Sequence, residues 1–285
     1  MFVKENTISA IKEYFFDSLN RLYPQREVES FFFILSEYFL SISRIELRVN
    51  GSKKLSESEL LKFHYAIKDL KSFKPIQQIT GKQFFYDNEF IVSPHTLIPR
   101  PETEELVDLI VKENLNFEGR ILDIGTGTGA IGISLDLALT KASVTAFDVS
   151  EDALKTAKIN AKKLESKVSF GKQDILNPSY KGESFDIIVS NPPYVLNKEK
   201  KEMEPNVLKY EPHIALFVED EDPLLFYREI IKFSHSYLNN NGKLYFEINE
   251  KFGQETADLM NIDFSEVKII KDLNGKDRII SAKKN

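Results

Sequence analysis

The chain has 285 residues, and an average of about 150 residues per domain predicts two domains. Its 42% hydrophobic content, with 22 Phe and 11 Tyr, excludes a chain that is disordered throughout. The net charge of −6 disfavours non-specific binding of long nucleic acids. The absence of cysteine excludes disulfides, thiolate zinc sites and cysteine nucleophiles. The four histidines form no HExxH-type pair, so no metal site is predicted.

We expect neither an export signal nor a membrane helix in this sequence. The N-terminal residues MFVKENTISA do not have the basic region, apolar core and small-residue cleavage site of a signal peptide. The most apolar stretch, Phe31–Leu40, is interrupted by Ser36 and Glu37 and is much shorter than the ~20 residues that a membrane helix requires. Since cysteine is absent as well, the expected location is the cytoplasm, without membrane binding.

Helical periodicity dominates the first part of the chain. Apolar side chains recur on one face of residues 7–22 and again in the segment after Pro24. Ser56 and Glu59 form an S-x-x-E capping-box pattern at the start of a third helix. We therefore predict a helical domain over residues 1–75 with a core of phenylalanines. This domain is either a docking surface for a macromolecular substrate or a packing or dimerisation module.

A β-hairpin is predicted next, in a linker over residues 76–98. The runs QFFY and EFIV flank an Asp-Asn turn and have the composition of two short strands. The sequence LIPRPETEELVDLI follows, and its Pro101 is in a suitable position to begin a helix. Arg100 either shapes the lid of a cofactor site or pairs with Glu104 on that helix.

The remaining residues, 99–285, alternate between strand and helix patterns. Helical stretches separate most of six short strand-type runs: Arg120–Ile124, Ser143–Phe147, Val168–Phe170, Phe185–Ser190, Lys243–Ile248 and Val267–Ile270. Strands that alternate with helices in this way pack into one sheet covered by the helices. The pattern therefore predicts an α/β domain built on a parallel sheet.

A glycine-rich loop connects the first of these strands to an apolar helix and consists of Gly125, Thr126, Gly127, Thr128 and Gly129. Glycine allows the backbone to approach a ligand closely, and the start of a helix offers free N–H groups. The order of strand, glycine turn and helix thus predicts a cofactor site. The spacing also matches G-x-G-x-x-G/A, so the loop by itself does not exclude a nicotinamide dinucleotide.

The second strand ends at Asp148, which follows Gly125 by 23 residues. A carboxylate at this strand end can accept hydrogen bonds from both hydroxyls of a ribose, and such charge-assisted bonds are strong. The alternative is that Asp148 caps the next helix, with Ser150 and Asp152 beside it. We predict that Asp148 binds ribose.

The fourth strand ends in the most specific motif of the chain, Asn191-Pro192-Pro193-Tyr194. Ligands of open parallel sheets bind beyond the carboxyl ends of the strands, so this motif should face the same ligand as the glycine loop. The two prolines remove two N–H donors and leave a rigid loop of carbonyl acceptors. Asn191 Oδ1 and the Pro192 carbonyl can each accept one hydrogen of a planar NH2 group, with Tyr194 against it. The alternative is a rigid turn capped by Asn191.

Taken together, these motifs resemble the S-adenosylmethionine-dependent amino-methyltransferases. Among them, the chain resembles the HemK/PrmC release factor glutamine methyltransferases over nearly its whole length. The N-terminal segment matches that family in its helical character but not in its individual residues. The specific matches are QQITGKQFFYDNEF at 77–90, LIPRPETEELV at 97–107, ILDIGTGTGAIGISL at 121–135, SNPPYV at 190–195, YEPHIALF at 210–217 and KDLNGKDRII at 271–280.

The resemblance implies a helical N-terminal domain joined through a hairpin to a seven-stranded Rossmann-like methyltransferase domain whose last strand is antiparallel. S-adenosylmethionine would lie over the glycine loop, with its ribose on Asp148 and its adenine near Asp174 and Ile175. The product would be S-adenosylhomocysteine, and Asn191 would lie close to both cofactor and substrate.

The implied substrate is the glutamine of the Gly-Gly-Gln motif in class I peptide chain release factors, methylated on its side-chain N5. Asn191 and Pro192 would accept the amide hydrogens, with Pro193 beside them and Tyr194 packed against the amide. These residues would form the substrate site, and Asn191, Pro192 and Tyr194 its catalytic part. We expect a monomer that forms no stable complex with nucleic acid.

Three other functions are compatible with parts of the sequence. An N-methyltransferase acting on an exocyclic amine of adenine or guanine in RNA or DNA would use the same cofactor, but the net charge of −6 argues against it. A nicotinamide dehydrogenase would leave the Asn-Pro-Pro-Tyr motif unexplained. A catalytically silent binding module would not need the glycines, Asp148 and Asn191, all of which are present.

Overall fold

A computed structural model describes residues 3–285, and the chain folds into two compact units. The helical unit comprises the residues up to Gly81 together with Pro205–Tyr210. The sheet unit comprises Lys82–Glu204 and Glu211–Asn285. Residues 1 and 2, at the start of the predicted helical domain, lie outside the described residues.

Residues 3–285 contain eleven α-helices: α1 Ile8–Leu19, α2 Gln25–Leu40, α3 Arg44–Val49, α4 Glu57–Lys71, α5 Ile76–Thr80, α6 Pro101–Glu113, α7 Ala130–Ala138, α8 Glu151–Lys163, α9 Pro205–Tyr210, α10 Leu225–Tyr237 and α11 Gly253–Met260. The same residues contain eleven strands: β1 Lys82–Phe85, β2 Asn88–Ile91, β3 Arg120–Ile124, β4 Ser143–Asp148, β5 Ser169–Lys172, β6 Phe185–Ser190, β7 Val195–Leu196, β8 Phe217–Val218, β9 Leu238–Glu247, β10 Phe264–Lys271 and β11 Asp277–Lys284.

The core of the helical unit is built from apolar side chains at helical spacing. Phe15 of α1, Phe32 of α2 and Phe63 of α4 are almost fully buried, and their rings pack against one another. The predicted capping box at the start of α4 is present, since Ser56 Oγ accepts from the Glu59 N–H and the Glu59 carboxylate accepts from the Ser56 N–H. The sequence thus indicated the three long helices of this unit.

Three short helices of this unit, α3, α5 and α9, were not predicted. Ser43 and Glu46 begin α3 with a capping box of the same S-x-x-E form as that of α4. Residues 76–80, which the sequence assigned to the hairpin linker, form α5 instead. Pro75 precedes this helix and Gly81 ends it in the left-handed conformation, with φ of 72°. A proline before a helix and a glycine after it are the usual boundaries, and they outweigh the strand-like letters between them.

The segment Pro205–Tyr210, which contains α9, belongs to the helical unit although it lies within the second half of the chain. Gln78 Nε2 donates a hydrogen bond to the Tyr210 carbonyl at 2.7 Å. The Tyr210 hydroxyl lies 2.8 Å from Ser72 Oγ. These bonds attach the segment to α5 and to the C-terminal end of α4.

Seven strands of the sheet unit form one sheet in the order β10-β11-β9-β6-β3-β4-β5. The pairs from β9 to β5 are parallel, whereas β11 is antiparallel to both of its neighbours. This topology confirms the α/β, Rossmann-like fold with an antiparallel last strand that the resemblance implied. Periodicity alone missed β11, because its polar ends hide the buried run Ile279–Ala282.

Helices cover both faces of the sheet. Along β6, Ile187 packs into a core with α6 and α7, while its neighbour Ile188 packs into a second core with α10 and α11. Strands buried on both faces have nearly continuous apolar sequences, as FDIIVS in β6 does. This burial makes the sheet a rigid support for the loops at its edges.

The β1–β2 hairpin is held to α8 by one buried amide. Asn160 Oδ1 accepts from the Ile91 N–H at 2.7 Å, and its Nδ2 donates to the carbonyls of Ile91 and Thr128, both at 2.9 Å. The hairpin turns at Tyr86 and Asp87, which have positive φ, one residue before the predicted Asp-Asn turn. Asn160 therefore connects the hairpin to the glycine loop, which contains Thr128.

Replacing Asn160 by alanine should destabilise the protein by about 2–3 kcal/mol, because three hydrogen bonds are lost and their backbone partners lose their acceptor or donors. Urea unfolding measures this loss. Lys158, an exposed residue on the same helix, provides the control: Lys158→Ala should change the stability by no more than about 0.5 kcal/mol. Equal stability of the two variants would contradict the predicted role of Asn160.

Candidate active site

A cavity of about 280 Å³ lies in the sheet unit, at the carboxyl ends of β3, β4, β5 and β6. Each of these strands contributes a residue at its end or just after it. They are Gly125, Asp148, Asp174 and Asn191, respectively. The cavity therefore brings these four residues together, although Gly125 and Asn191 are 66 positions apart in the sequence.

Strand register determines which of these residues are neighbours. Ile124, the last residue of β3, pairs with Phe147 on one side and with Ser190 on the other. Ser190 Oγ also donates a hydrogen bond to the Ile124 carbonyl at 2.7 Å. The glycine loop and the Asn-Pro-Pro-Tyr motif consequently leave the sheet side by side, at the point where strand order reverses.

The three loop glycines are required for two different reasons. Gly125 and Gly127 have φ of 77° and 55°, and a Cβ on either would meet no atom within 4 Å. Side chains there would thus occupy open space beside the cavity, so their absence leaves a cradle for a ligand. Gly129 has φ of 84°, and its Cβ would lie 2.7 Å from Ile133 Cδ1, so this glycine is needed for packing.

The other predicted residues of the loop lie beneath this cradle. Thr126, Thr128 and Gly129 do not line the cavity. Thr126 Oγ1 donates to Asp123 Oδ2 at 2.6 Å, and the Gly132 N–H donates to the same oxygen at 3.0 Å. These contacts fix the shape of the loop from below.

Asp123 is fully buried, and this burial raises its pKa to about 7. Between about pH 4 and pH 7 the folded state keeps a proton that the unfolded chain releases. The free energy of unfolding should therefore fall as the pH rises through this range, by about 1.4 kcal/mol per pH unit for this group. Asp123 Oδ2 accepts both hydrogen bonds, so an asparagine oxygen can replace it.

In Asp123→Asn this pH dependence should disappear. Urea unfolding at about pH 4.5 and about pH 7.5 should show that the variant gains stability relative to the wild type as the pH rises. A constant difference between the two proteins across this range would contradict a raised pKa at Asp123.

Asp148 lines the cavity and is held by backbone donors. Its Oδ2 accepts from the Gly127 N–H and its Oδ1 from the Ser150 N–H, both at 2.8 Å. Burial raises its pKa, and these bonds to the carboxylate oppose that rise. Ser150 rather than Asp148 caps α8, through the Ala153 N–H. Each carboxylate oxygen has a second lone pair, so Asp148 can still accept hydrogen bonds from a diol.

The remaining walls of the cavity are mostly apolar. Ile175 follows β5 and lines the cavity together with Phe147 of β4 and with Phe226 and Phe233 of α10. Asp174 lies at the same end, where its Oδ1 accepts from the Leu176 N–H at 2.9 Å. Apolar walls of this kind can pack against the faces of a flat aromatic ring. The two phenylalanines of α10 were not predicted, because a helical apolar stripe carries no sign of which members face a ligand.

A second cavity, of about 50 Å³, adjoins the first. Asn191 and Pro192 line both cavities, whereas Pro193 lines only the first and Tyr194 only the second. The Asn191 side chain does not cap its own turn, since its Nδ2 donates to Thr103 Oγ1 at 3.2 Å. The Asn-Pro-Pro-Tyr motif thus lies between the two cavities, with the side-chain amide of Asn191 at their boundary.

Glu247 is the buried carboxylate of the second cavity, and only 1% of its surface is exposed. Its Oε2 accepts from Thr103 Oγ1 at 2.6 Å and its Oε1 from the Tyr194 hydroxyl at 2.9 Å. Burial and this carboxylate hold the pKa of Tyr194 well above its usual value, so Tyr194 remains a donor. Glu247 was missed, although an acidic residue in the apolar run LYFEI is itself a signal.

Arg100 pairs with Glu211 and not with Glu104, so the local pairing considered from the sequence is wrong. Arg100 Nη2 lies 2.5 Å from Glu211 Oε1, and Glu211 Oε2 accepts from the Ile98 N–H at 3.0 Å. Arg100 precedes α6 in an extended conformation, so the spacing of four residues along a helix does not apply to it. The pair joins two segments at the edge of the second cavity.

None of the helices in residues 3–285 is both long enough and apolar enough to cross a membrane. Within the same residues, no three His, Asp or Glu side chains are grouped so that they could hold a metal ion.

Comparison with known proteins identifies the family. Residues 20–81 match the family model described as PrmC N-terminal domain, and residues 102–209 match the Methyltransferase small domain. A release factor glutamine methyltransferase of Flavobacterium psychrophilum is 48% identical over 95% of this chain and 98% of the relative. That of Bacteroides thetaiotaomicron is 45% identical over 96% and 99%, respectively.

The fold is shared with solved structures as well. A methyltransferase from Pyrococcus furiosus superposes with a TM-score of 0.51 at 21% identity, over 69% of this chain and 88% of its own. The structural likeness shows the fold alone, whereas the sequence matches, at 45–48% identity over at least 95% of this chain, show the family. The chain belongs to the family of the S-adenosylmethionine-dependent release factor glutamine methyltransferases.

Proposed function

We propose that this protein transfers a methyl group from S-adenosylmethionine to the side-chain N5 of the glutamine in the Gly-Gly-Gln motif of class I peptide chain release factors. The observation that carries the proposal is the position of Asn191 and Pro192 between two adjoining cavities. The larger cavity suits the cofactor, and the smaller one suits the amide of a glutamine side chain. The names of the relatives support the same substrate.

The larger cavity has the features that S-adenosylmethionine requires. Gly125 and Gly127 leave an open cradle, and Asp148 offers lone pairs to a ribose. Ile175 and Asp174 lie where an adenine would be expected, between apolar walls. We propose these residues, together with Asn191, as cofactor contacts. Thr126, Thr128 and Gly129 belong to the proposed site as the residues that shape the glycine loop from beneath.

The chemistry assigned to this chain is mainly positioning. When bound, S-adenosylmethionine supplies an electrophilic sulfonium methyl group. Asn191 Oδ1 and the Pro192 carbonyl accept the two amide hydrogens and so direct the nitrogen lone pair toward the larger cavity. Tyr194 and Pro193 limit the movement of the amide, and the apolar walls exclude water. No strong base is needed, because alkylation makes the remaining N–H protons acidic, and one of them passes to bulk water after the methyl transfer.

We propose that the helical domain, which the sequence predicts over residues 1–75, docks the release factor. We further propose that the enzyme is a cytoplasmic monomer without stable nucleic-acid binding. The substrate supports the location, since release factors act on ribosomes in the cytoplasm.

The direct test is mass spectrometry of the Gly-Gly-Gln peptide after incubation of a release factor with this protein and S-adenosylmethionine. We expect one added methyl group on the glutamine, and none on a release factor in which alanine replaces that glutamine. Parallel reactions with cellular RNA test the alternative substrate. Methylated RNA together with an unmodified release factor would overturn the proposal.

A further inference from the structure

The proposed reaction requires a particular orientation of the Asn191 amide. With Oδ1 toward the substrate, the side chain accepts a hydrogen from the glutamine NH2. With the amide turned over, it would present a donor to another donor, and the contact would be repulsive. Nothing in the Asn-Pro-Pro-Tyr motif itself selects between these two orientations. The selection must come from what Asn191 contacts on its other side.

That other side is a short chain of hydrogen bonds that ends at a buried carboxylate. Asn191 Nδ2 lies 3.2 Å from Thr103 Oγ1, and Thr103 Oγ1 lies 2.6 Å from Glu247 Oε2. Only 5% of Thr103 and 1% of Glu247 are exposed, so water does not replace these contacts. Thr103 is at the start of α6 and Glu247 is the last residue of β9, so rigid elements hold both.

The donor and acceptor of each hydrogen bond in this series follow from a count of the available hydrogens. Both oxygens of Glu247 face a hydroxyl group, one from Thr103 and one from Tyr194, which is the arrangement expected of an ionised carboxylate that only accepts. The single hydroxyl hydrogen of Thr103 is therefore used toward Glu247. Toward Asn191, the Thr103 oxygen can only accept. The Asn191 NH2 must face Thr103, and its Oδ1 is turned away as an acceptor.

We propose that Thr103 and Glu247 are positioning residues that fix the amide of Asn191 with its oxygen toward the substrate. The same carboxylate fixes the hydroxyl of Tyr194. This role rests on the proposed function, because it explains how the acceptor for the glutamine amide is kept in place. Burial raises the pKa of Glu247 above its usual value, and this effect outweighs the two hydroxyl donors and the nearby Arg278, which lower it. The ionised form is therefore inferred from the geometry, in which each carboxylate oxygen accepts from one hydroxyl group.

The decisive variants change the hydroxyl of Thr103 and leave the cofactor cavity intact. Thr103→Val keeps the shape but removes the acceptor for Asn191, so kcat should fall by about 10- to 100-fold with KM for the release factor and Kd for the cofactor nearly unchanged. Thr103→Ser restores the hydroxyl and should recover most of kcat. In an Asn191→Ala background, Thr103→Val should cause no further loss, since the two residues act as one unit.

Thr256→Val is the matched control. Thr256 is also buried and also uses its hydroxyl as a donor within the sheet unit, to the Phe252 carbonyl at 2.8 Å, but it does not line either cavity. Its replacement should leave kcat unchanged. Glu247→Gln provides a second variant, whose side chain is as large as that of glutamate. One of the two carboxylate oxygens that accept from Thr103 and Tyr194 is replaced by an NH2 donor, so kcat should fall here as well. This variant tests the proposal even if Thr103→Val folds poorly.

A readout without turnover tests the orientation itself. In cofactor-free protein, the side-chain NH2 resonances of Asn191 should shift in Thr103→Val and return toward the wild-type position in Thr103→Ser. Wild-type kcat in both Thr103→Val and Glu247→Gln, or unmoved Asn191 resonances, would overturn the positioning role. A wild-type enzyme that leaves the release factor glutamine unmodified would instead overturn the proposed function, while the resonances would still report on the orientation.

Discussion

Replacement of Asn191 by alanine should lower kcat for glutamine methylation by about 10²–10³-fold, the scale observed when one preorganised hydrogen-bonding group is removed from an active site. The amide oxygen of Asn191 is the proposed acceptor that turns the substrate nitrogen toward the methyl group. The cofactor should still bind, because the glycine cradle and Asp148 do not depend on this side chain. Single-turnover methylation and calorimetry with S-adenosylmethionine measure the two effects separately.

Asn197→Ala is a suitable control for this variant. Asn197 lies six residues further along, has the same side chain and donates to Glu219 outside both cavities. We expect it to have the wild-type rate. Wild-type turnover in Asn191→Ala would show that the amide of Asn191 does not act on the substrate, and the proposed mechanism would then be wrong.

Replacement of Asp148 by alanine should weaken binding of S-adenosylmethionine by about 1.5–3 kcal/mol, the usual effect of losing hydrogen bonds to a charged group. The affected bonds are those proposed from the ribose hydroxyls to the carboxylate. Asp148→Asn keeps one acceptor oxygen and should give an intermediate loss. Isothermal calorimetry measures both affinities directly.

Asp148 also accepts hydrogen bonds from the backbone, so the control must separate this role from ligand binding. Asp136 accepts from the Lys167 N–H at 2.8 Å and does not line the cavity. Asp136→Ala should therefore leave the cofactor affinity unchanged. An Asp148→Ala variant that binds the cofactor as tightly as the wild type would exclude the ribose contact.

The residues that the sequence indicated best are those at strand ends. Gly125, Asp148 and Asn191 could be predicted because each follows or ends a recognisable strand, and parallel strands bring their carboxyl ends to one edge. The resemblance added the substrate, the number of strands in the sheet and the antiparallel direction of the last one. Local patterns were thus sufficient wherever one element determines the position of a residue.

The residues that escaped prediction depend on contacts between distant segments. Thr103 and Glu247 are 144 positions apart, and neither has a role until α6 lies against the end of β9. Arg100 likewise finds Glu211 across 111 positions, whereas a local pairing rule pointed to Glu104. Hydrogen-bond partners in folded proteins are chosen by tertiary packing, and a single sequence without its fold does not contain that information.

The course of the chain through Pro205–Tyr210 has a consequence for any attempt to divide this protein. The chain passes from one unit to the other three times: after Gly81, before Pro205 and after Tyr210. Cleavage in the hairpin would cut only the first of these connections, so Pro205–Tyr210 would stay covalently attached to the sheet unit. A shortened protein that begins at residue 99 would carry α9 without Ser72 and Gln78, its partners. The segment Pro205–Tyr210 begins soon after Tyr194 and is followed directly by Glu211. Truncation would therefore leave this segment as an unanchored loop attached to the active site itself.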